Sequence, residues 1–347
     1  MIGIILSGYT ITALIIRPFG GYIVDSFPRK RVLLVCYFAF FVFFSGYLLA
    51  GTLMMFAIIR GLHGFSFGSV TVANSTVAID VMPPSRRGEG IGYYGVSNNL
   101  AMAMGPSLSM YLYDHGIDYH YIFMVSLISA GLGFLIDSTI KTDKKVVAQP
   151  REKISLDRFF LINAIPESLM VIFFSFAYGI LSTYLAIYGK EEVGIEGGSG
   201  LFFTLLAIGL IGARLLSAQW VKRGLLTRNI GVGMVVTIVG FLIFIFWRDT
   251  IGFYTAAVVL GAGYGSMCPS FQAVFIDMAP NSRRGTANST YLTSWDGGVG
   301  AGVLIGGSIA EHLSYHVAYG VATCVCLIGM VVYLRHTANH FNSHKLR

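Results

Sequence analysis

The chain alternates long apolar runs with short polar turns, and this alternation predicts membrane-spanning helices. A helix needs about 20 predominantly apolar residues to cross a bilayer, and most of the runs reach that length. Five runs precede residue 140 and six follow residue 157. They lie near residues 2–24, 31–50, 53–80, 88–113, 119–139, 159–189, 199–221, 229–247, 251–278, 286–313 and 315–335.

Composition narrows the class further. Of the 347 residues, 55% are hydrophobic and 12% are charged, which is too few charges to solvate a globule of this size. The net charge of +7 does not indicate a nucleic-acid partner, because the basic residues form short clusters between apolar runs and not one basic face. All four cysteines fall inside apolar runs, so we expect neither a disulfide framework nor a metal site. We predict an all-α membrane protein.

A turn sequence that occurs twice shows an internal duplication. The segment from Asp80 to Gly88 returns from Asp277 to Gly285, at an offset of 197 residues. The same offset relates Arg17 to Arg214, Gly64 to Gly261, Gly68 to Gly265, Asn99 to Asp296 and Gly105 to Gly302. A parallel repeat of this kind is typical of transporters built from two pseudo-symmetric halves.

The repeat also predicts the domain organisation. We expect an N-terminal transmembrane half at 1–139, a cytoplasmic linker at 140–157, a C-terminal transmembrane half at 158–337 and a cytoplasmic tail at 338–347. Projected back by the offset, the run at 159–189 falls before Met1. We therefore expect two six-helix halves with 11 of 12 helices present, the first being lost through a wrong start site or a real truncation.

Lysine and arginine are concentrated in alternate turns, which predicts the orientation. The turns that contain Arg86 with Arg87 and Arg283 with Arg284 fall on the same side as the basic linker and the C-terminus. The opposite turns carry few basic residues. By the positive-inside rule the basic turns are cytoplasmic, in a multi-pass protein of the cell inner membrane.

Several charged groups lie within the apolar runs, where an ionisable side chain is costly and normally faces a cavity or a partner. For Arg17 and Arg214, an interhelix bond is favoured over substrate contact. For Asp296, binding of a proton or a substrate cation and a structural hydrogen bond remain equal alternatives. His63 titrates in a useful range, yet a lone histidine is more often a packed hydrogen-bonding residue.

Two motifs resemble signatures of the major facilitator superfamily. The segment from Gly21 to Arg31 resembles the family's loop between helices 2 and 3, with Pro28 at a usual glycine position. The segment from Arg60 to Gly64 is similar to the family's Arg-x-x-x-Gly signature on helix 4. The resemblance extends over the whole chain and implies the major facilitator fold.

A third motif resembles the glycine-rich antiporter signature of helix 5. It comprises Gly92, Gly105 and Pro106, with Ala101 and Ser109 replacing two glycines of the pattern. The set is similar to the drug/proton antiporter branch, including arabinose-efflux-like proteins. In those proteins the motif shapes the interface of the halves, although a kink with close packing is the simpler alternative.

The resemblance also implies a gate. In the family, the aspartate equivalent to Asp25 faces a helix N-terminus, here the turn at Gly285, and the arginine equivalent to Arg29 pairs with the residue matching Asp80. The alternative is a solvated turn with a surface ion pair of little value. The implied gating residues are Gly21, Asp25, Arg29, Lys30 and Asp80. For Arg60 the resemblance implies a role in proton coupling. The candidate residues for proton coupling or substrate binding are Arg60, His63, Asp296 and its repeat equivalent Asn99.

The predicted function is secondary active transport, namely proton-coupled efflux of a drug-like compound, sugar or metabolite by alternating access. Proton-coupled or facilitated uptake is an alternative, and a non-transporting scaffold or truncated remnant is another. No nucleophile set, phosphate loop or metal-ligand cluster supports an enzyme. We expect no cofactor beyond a proton gradient, and a monomer whose partners are its small-molecule substrate, protons and the lipid bilayer.

Overall fold

The structure is a computed structural model that describes residues 2–142, 155–195 and 199–346. These ranges contain helices and connecting turns and no strand. The α-helices are α1 (Ile2–Ser26), α2 (Arg29–Ser45), α3 (Leu53–Val81), α4 (Arg87–Asp114), α5 (Tyr119–Thr139), α6 (Ile165–Tyr188), α7 (Ser199–Lys222), α8 (Leu226–Phe246), α9 (Thr250–Asp277), α10 (Arg284–His312), α11 (Tyr315–Val332) and α12 (Ala338–His344). The prediction of an all-α membrane protein is confirmed.

Eight helical segments in the described ranges are long and apolar enough to cross a membrane. Helices α1, α4 and α10 are also long, at 25, 28 and 29 residues, but they are not among those eight. In α4 and α10 the cause is a high content of glycine, serine and asparagine. Small residues of this kind allow neighbouring helix backbones to approach closely in a membrane.

Several helices, among them α5, α9 and α11, begin at side chains that accept hydrogen bonds from the first turn. Asp118 accepts from the His120 amide at 2.8 Å, Asp249 from the Gly252 amide at 2.7 Å, and Ser314 from the Val317 amide at 3.2 Å. Such N-caps satisfy amides that have no partner within the helix. The Gly252 amide also holds the pKa of Asp249 below its ordinary value, because the hydrogen bond stabilises the carboxylate.

The apolar run predicted at 159–189 is not a single helix. A 3₁₀ turn at Leu156–Arg158 and another at Ile162–Ala164 precede α6, which begins at Ile165. Pro166 in the first turn of α6 suits that start, since its missing N–H would have no helical partner there. At the other end of the chain, a π-helical turn at Tyr333–Thr337 leads from α11 into α12.

Contacts divide the chain into two compact units. Unit 1 consists of Met1–Val81, Pro106–Ile162 and Ala279–Thr293, and unit 2 consists of Met82–Gly105, Asn163–Met278 and Ser294–Arg347. These units differ from the two predicted sequence halves, because the first turns of α4 group with unit 2 and the first turns of α10 with unit 1. Residues 143–154 of the predicted linker lie outside the described residues, and the halves stay a prediction.

Unit 1 is centred on α3, which packs against α1 and α2, while α5 packs against α2. Its core contains Val24, Leu33, Val72, Ala73 and Val77, each fully buried. Gly64 and Gly68 of α3 lie directly against the α1 backbone at Tyr9 and Ala13, where an added Cβ would collide. The two helices therefore pack at backbone contact.

Unit 2 repeats this arrangement. Helix α9 packs against α7 and α8, and α11 packs against α8 and α6. Gly261 and Gly265 of α9 lie against the α7 backbone at Leu206 and Leu210. A buried amide strengthens the second contact of α9, since Asn229 of α8 donates to the Ser266 carbonyl at 3.0 Å and to the Ser270 hydroxyl at 2.8 Å.

Candidate functional site

A densely bonded polar site of unit 1 lies where the end of α1 meets the start of α10. Asp25 lies in the last turn of α1, and its side chain is only 7% exposed. One carboxylate oxygen accepts from the Gly285 amide at 2.8 Å, and the other accepts from the Thr286 amide at 2.7 Å and the Thr286 hydroxyl at 3.0 Å. A carboxylate at this position is stabilised by the free amides and by the helix dipole of α10.

Two arginines bind the neighbouring carboxylate of Asp80. Arg29 donates to one oxygen of Asp80 at 2.5 Å, and Arg284 donates to the other at 2.7 Å. Arg29 also contacts Asp25 at 3.0 Å and the Asn281 carbonyl at 2.9 Å. We call the set Asp25, Arg29, Asp80, Arg284, Gly285 and Thr286 the lock.

The lock is a balanced and partly buried charge network. It contains two carboxylates and two guanidinium groups, with side chains between 7% and 23% exposed. In such a network the removal of one member leaves an uncompensated charge, which is far costlier than the loss of an exposed pair. The alternative of a solvated surface turn therefore does not describe this site.

Close backbone packing accompanies the lock. A Cβ at Gly21 of α1 would lie 2.6 Å from the Ser289 Cβ and 2.9 Å from the Gly285 carbonyl of α10. One turn deeper, the Ser289 hydroxyl donates to the Arg17 carbonyl at 2.5 Å, and the Asn288 amide donates to the Ser75 hydroxyl. These contacts require a glycine at position 21 in the observed packing.

Lys30 lies apart from the lock, although it belongs to the same implied motif. Its ammonium group donates to the carbonyls of Ser138 at 2.9 Å and Ile140 at 2.5 Å, at the end of α5. A cation is favoured at a helix C-terminus, where carbonyls have no helical partner. Lys30 thus ties α2 to α5 within unit 1.

Arg60 and His63 lie in an aromatic cluster on α3. The His63 ring is 4% exposed, and its centroid lies 4.5 Å from that of Phe40 and 5.0 Å from that of Phe44. Its Nδ1 is 3.1 Å from the Tyr47 hydroxyl. The Arg60 guanidinium lies over the Tyr9 ring at 5.0 Å, a cation–π contact. This environment is that of a packed, hydrogen-bonded histidine.

The other predicted intramembrane groups lie on separate helices. Arg17 of α1 is 4% exposed, and its backbone carbonyl is bound by Ser289. In unit 2, Arg214 of α7 lies against Gly95 of α4, where an added Cβ would collide with the guanidinium. Asp296 of α10 follows Trp295, which packs on Tyr178 and Tyr264 with centroids 5.5 Å and 6.1 Å apart. Asn99 lies in α4, and its side chain is outside the described part.

Comparison with known proteins decides the family. The family model described as Major Facilitator Superfamily matches residues 1–253 and 227–345. This chain belongs to the major facilitator superfamily. It is a multi-pass membrane transporter and not an enzyme, as the sequence predicts.

Superfamily members with related sequences include exporters. The chain is 20% identical to the staphylopine export protein of Staphylococcus aureus strain Mu50, over 96% of this chain and 86% of that protein. It is 24% identical to the multidrug resistance protein MdtG of Escherichia fergusonii, over 95% and 82%. It is 19% identical to the quinolone resistance protein NorA of S. aureus strain COL, over 96% and 86%.

Solved structures of the superfamily share the fold. The human organic anion transporter MFSD10 matches with a TM-score of 0.79 at 15% identity, over 95% of this chain and 83% of that one. The transporter FucP in its outward conformation matches with a TM-score of 0.77 at 15% identity, over 96% and 89%. The prediction of a major facilitator fold is confirmed.

The antiporter-like glycines of α4 have open surroundings. A Cβ added at Gly92 or at Gly105 would meet no atom within 4 Å, so close packing does not explain either residue. Pro106 lies within α4, and its side chain is outside the described part. Gly95, which the motif does not include, is the glycine of α4 that makes room for Arg214. It lies three residues from Gly92, hence on the same helix face.

Sequence reasoning missed one lock residue and one helix-end contact. Arg284, in a turn that the sequence places at the cytoplasmic face, is only 7% exposed and is bound to Asp80. Its position four residues after Pro280, inside the repeated turn, gave no signal of that partner. Glu167, in the first turn of α6, is 1% exposed, and its Oε1 lies 2.9 Å from Nδ1 of His340, a partner that the sequence does not indicate.

Proposed function

We propose that this transporter exports a small molecule in exchange for protons. Three relatives over at least 82% of their own length bear names that refer to export or drug resistance. None of these relatives is similar enough in sequence for its substrate to be assigned to this chain, since the identities are 19–24%. Lipophilic compounds such as quinolones are the first substrates to test.

The lock carries the mechanistic part of the proposal. Asp25 is held by two amides and a hydroxyl at the start of α10, while Arg29 and Arg284 share Asp80. These bonds connect α1, α2 and α3 to α10, so α10 cannot move away from them without breaking all of the bonds together. A structure with this property has two discrete states, which alternating access requires.

The lock closes the cytoplasmic face in this proposal. Its arginines belong to the basic turns that the positive-inside rule assigns to the cytoplasm. The chain would then work as a monomer in the cell inner membrane, with a proton gradient as its energy source and no cofactor. The first copy of the turn, at Arg86 and Arg87, would face the same side.

Proton coupling is assigned to the charged groups of the apolar helices. Asp296 of α10 is the first choice, because its repeat equivalent Asn99 cannot take up a proton and the pair is therefore asymmetric. Arg60 is the second choice, and His63 would act through Tyr47 and Arg60 and not by direct contact with substrate. Arg17 and Arg214 hold helices together.

Everted membrane vesicles test the direction and the coupling. Radiolabelled norfloxacin, a quinolone, should accumulate in vesicles that contain the transporter when the interior is made acidic, and a protonophore should abolish the accumulation. Asp296→Asn should retain exchange of labelled for unlabelled norfloxacin but lose accumulation driven by the gradient.

Two results would contradict the proposal. Accumulation only in right-side-out vesicles with an acidic exterior would indicate uptake instead of export. Absence of transport of norfloxacin and of a wider panel of drugs, sugars and metabolites, in correctly inserted protein, would favour a scaffold or remnant. Vesicles with Asp118→Asn, which changes an exposed cap of α5, serve as the matched control.

A further inference from the structure

Residues 155–162, which we call the strap, run from the end of the linker to the start of α6 and lie wholly in unit 1. The strap begins with the 3₁₀ turn Leu156–Arg158. Asp157 closes this turn, because its side chain accepts from the Ile162 amide at 3.2 Å. The strap therefore has a defined local shape and is not an open connection.

The strap is bonded to the first two turns of α10. Asp157 forms an ion pair with Arg283, immediately before the lock arginine. The Leu161 amide donates to the Thr290 hydroxyl at 2.9 Å, and the Arg158 carbonyl accepts from the Thr286 hydroxyl at 3.0 Å. Three residues of the strap, Asp157, Arg158 and Leu161, thus hold the same helix end that Asp25 holds.

Thr286 links the strap to the lock directly. Its hydroxyl lies 3.0 Å from both the Asp25 carboxylate and the Arg158 carbonyl, yet a hydroxyl has a single proton to donate. Asp25 and the strap therefore share one donor. A shift of the strap changes the hydrogen bonding of the lock.

The strap also contacts α1. The Phe159 ring lies 5.4 Å from the Phe19 ring and 5.1 Å from the Tyr22 ring, between centroids. The Arg158 guanidinium lies over the Tyr22 ring at 5.2 Å. Since α1 carries Asp25 and α10 carries its partners, the strap bridges the two helices that the lock joins.

A cavity of about 480 Å³ lies beneath the strap. It is lined by Leu14, Pro18 and Phe19 of α1, Leu156 and Phe160 of the strap, and Thr293 of α10, among others. Leu161 of the strap does not line this space and is only 3% exposed. The strap is held on α1 and α10 by its rings and its polar bonds.

We propose that the strap helps to hold the lock closed and that Asp157 is the positioning residue of the strap. By holding Arg283 and the Ile162 amide together, Asp157 places the Arg158 carbonyl and the Leu161 amide on α10 while the lock is closed. The inference rests on the proposed gating function of the lock. In this proposal the strap, which leads into α6, belongs to the gate. Movement of α6 and opening of the lock are therefore coupled.

The test uses one reporter cysteine in protein with the four native cysteines replaced by serine. Ser75 of α3 is 4% exposed and lies under Asn288 of α10, so Ser75→Cys reports whether α10 has moved away. The rate of labelling by N-ethylmaleimide is measured in everted vesicles without any substrate. Asp157→Asn should raise that rate about threefold to tenfold, since the Asp157–Arg283 pair is about a third exposed and partly screened.

Conservative and exchanged charges separate positioning from general stability. Asp157→Glu should label at nearly the original rate, and Asp157→Arg combined with Arg283→Asp should return the rate most of the way. Asp118→Asn, a matched change at another turn of unit 1, should have no effect. Failure of both Asp157→Glu and the exchange to restore slow labelling would overturn the positioning role.

Asp25→Asn distinguishes failure of this inference from failure of the gate. If Asp25→Asn raises the labelling rate while Asp157→Asn leaves it unchanged, the strap is not part of the lock and the gate stands. If neither substitution changes the rate, the gating function and the strap proposal both fall.

Discussion

The two sequence repeats share their helix packing but not their lock. Gly64 lies against Tyr9 in the first repeat, and Gly261 lies against Leu206 in the second. Both partners are related by the same offset of 197 residues as the glycines themselves. The second glycine pair behaves in the same way, since Gly68 meets Ala13 and Gly265 meets Leu210.

The N-cap of one helix is also repeated, but the capping side chain differs between the two copies. Thr52 accepts from the Met55 amide at 3.2 Å at the start of α3, and Asp249 accepts from the Gly252 amide at 2.7 Å at the start of α9. The offset again relates both pairs. Backbone packing and helix starts are thus the duplicated part of this molecule.

Three positions at and beside the lock differ in sequence between the repeats. The positions equivalent to Gly21, Asp25 and Arg29 hold Ala218, Lys222 and Leu226. The ammonium group of Lys222 cannot accept hydrogen bonds from the amides at a helix start. The apolar side chain of Leu226 cannot form an ion pair with an aspartate. Asp80 does have an equivalent, Asp277, whose backbone carbonyl accepts from the Leu346 amide at 2.9 Å. The two residues that α1 and α2 contribute to the lock are therefore specific to the first repeat.

The largest expected effect comes from replacing Asp25 of the first repeat by lysine, the residue at the equivalent position of the second repeat. Asp25→Lys replaces three accepted hydrogen bonds by a cation at the positive end of α10. Loss of one partner of a buried charge set costs about 3–5 kcal/mol, which shifts the lock toward its open state by on the order of 10²- to 10³-fold. The labelling rate of Ser75→Cys measures this shift.

The reciprocal change completes that comparison. Lys222→Asp should leave the labelling rate of Ser75→Cys unchanged, because the second repeat has Leu226 at the position equivalent to Arg29. An equal response to Asp25→Lys and Lys222→Asp would show that the lock is not specific to the first repeat.

An intermediate effect is expected where the repeats agree. Gly64→Ala and Gly261→Ala each place a Cβ on the backbone of the neighbouring helix, and overpacking of this kind costs about 1–3 kcal/mol. Both substitutions should lower the Tm of detergent-solubilised protein by similar amounts. A large decrease for one and none for the other would contradict equivalent packing in the two repeats.

Neighbouring glycines provide the control for these two substitutions. A Cβ at Gly61 would meet one methyl group of Thr12 at 3.9 Å, and one at Gly212 would meet nothing within 4 Å. Gly61→Ala and Gly212→Ala should not lower the Tm, since alanine favours the helix over glycine at an uncrowded position.

The smallest expected effect is a difference in pH dependence between the N-caps of α9 and α3. The pKa of Asp249 is lowered in the folded protein by the Gly252 amide, so its stabilisation is present above the unfolded pKa and is lost as pH falls through the folded pKa. Thr52 does not titrate. Protection of the Gly252 amide from hydrogen exchange should therefore fall relative to that of the Met55 amide between about pH 6 and about pH 3.

Asp249→Thr should remove this difference, because it gives α9 the uncharged cap of α3. Persistence of the pH dependence in Asp249→Thr would mean that another group controls the start of α9. If protection of the Met55 amide fell by an equal amount in the unchanged protein, a titrating group other than Asp249 would control the start of α3.

The helices were predictable because their signals are local. A run of about 20 apolar residues predicts a span from any short window of sequence, and helix α5 has the bounds that its run predicts. The region before α6 was not predictable in this way. Phe159 to Ala164 is as apolar as the helix that follows, yet it forms turns whose hydrogen-bond partners lie in α10.

The lock was predictable only in part. The resemblance implied that Asp25 meets the turn at Gly285 and that Arg29 meets Asp80, and the structure contains both contacts; the gating role stays a prediction. The second arginine on Asp80 and the strap were not implied. His63 is packed and hydrogen-bonded, as is usual for a lone histidine, but sequence spacing does not show the aromatic rings that surround it.

The sequence by itself determined the class of protein, the duplication, the register of its two copies and the turns that carry the basic residues. These depend on run length, composition and spacing, which are properties of the chain in order. The tertiary structure alone decided that Arg284 binds Asp80 across 204 residues and that Asp157 pairs with Arg283 across 126. Such partners depend on how helices pack, because a carboxylate binds whichever donor the fold brings within hydrogen-bond distance.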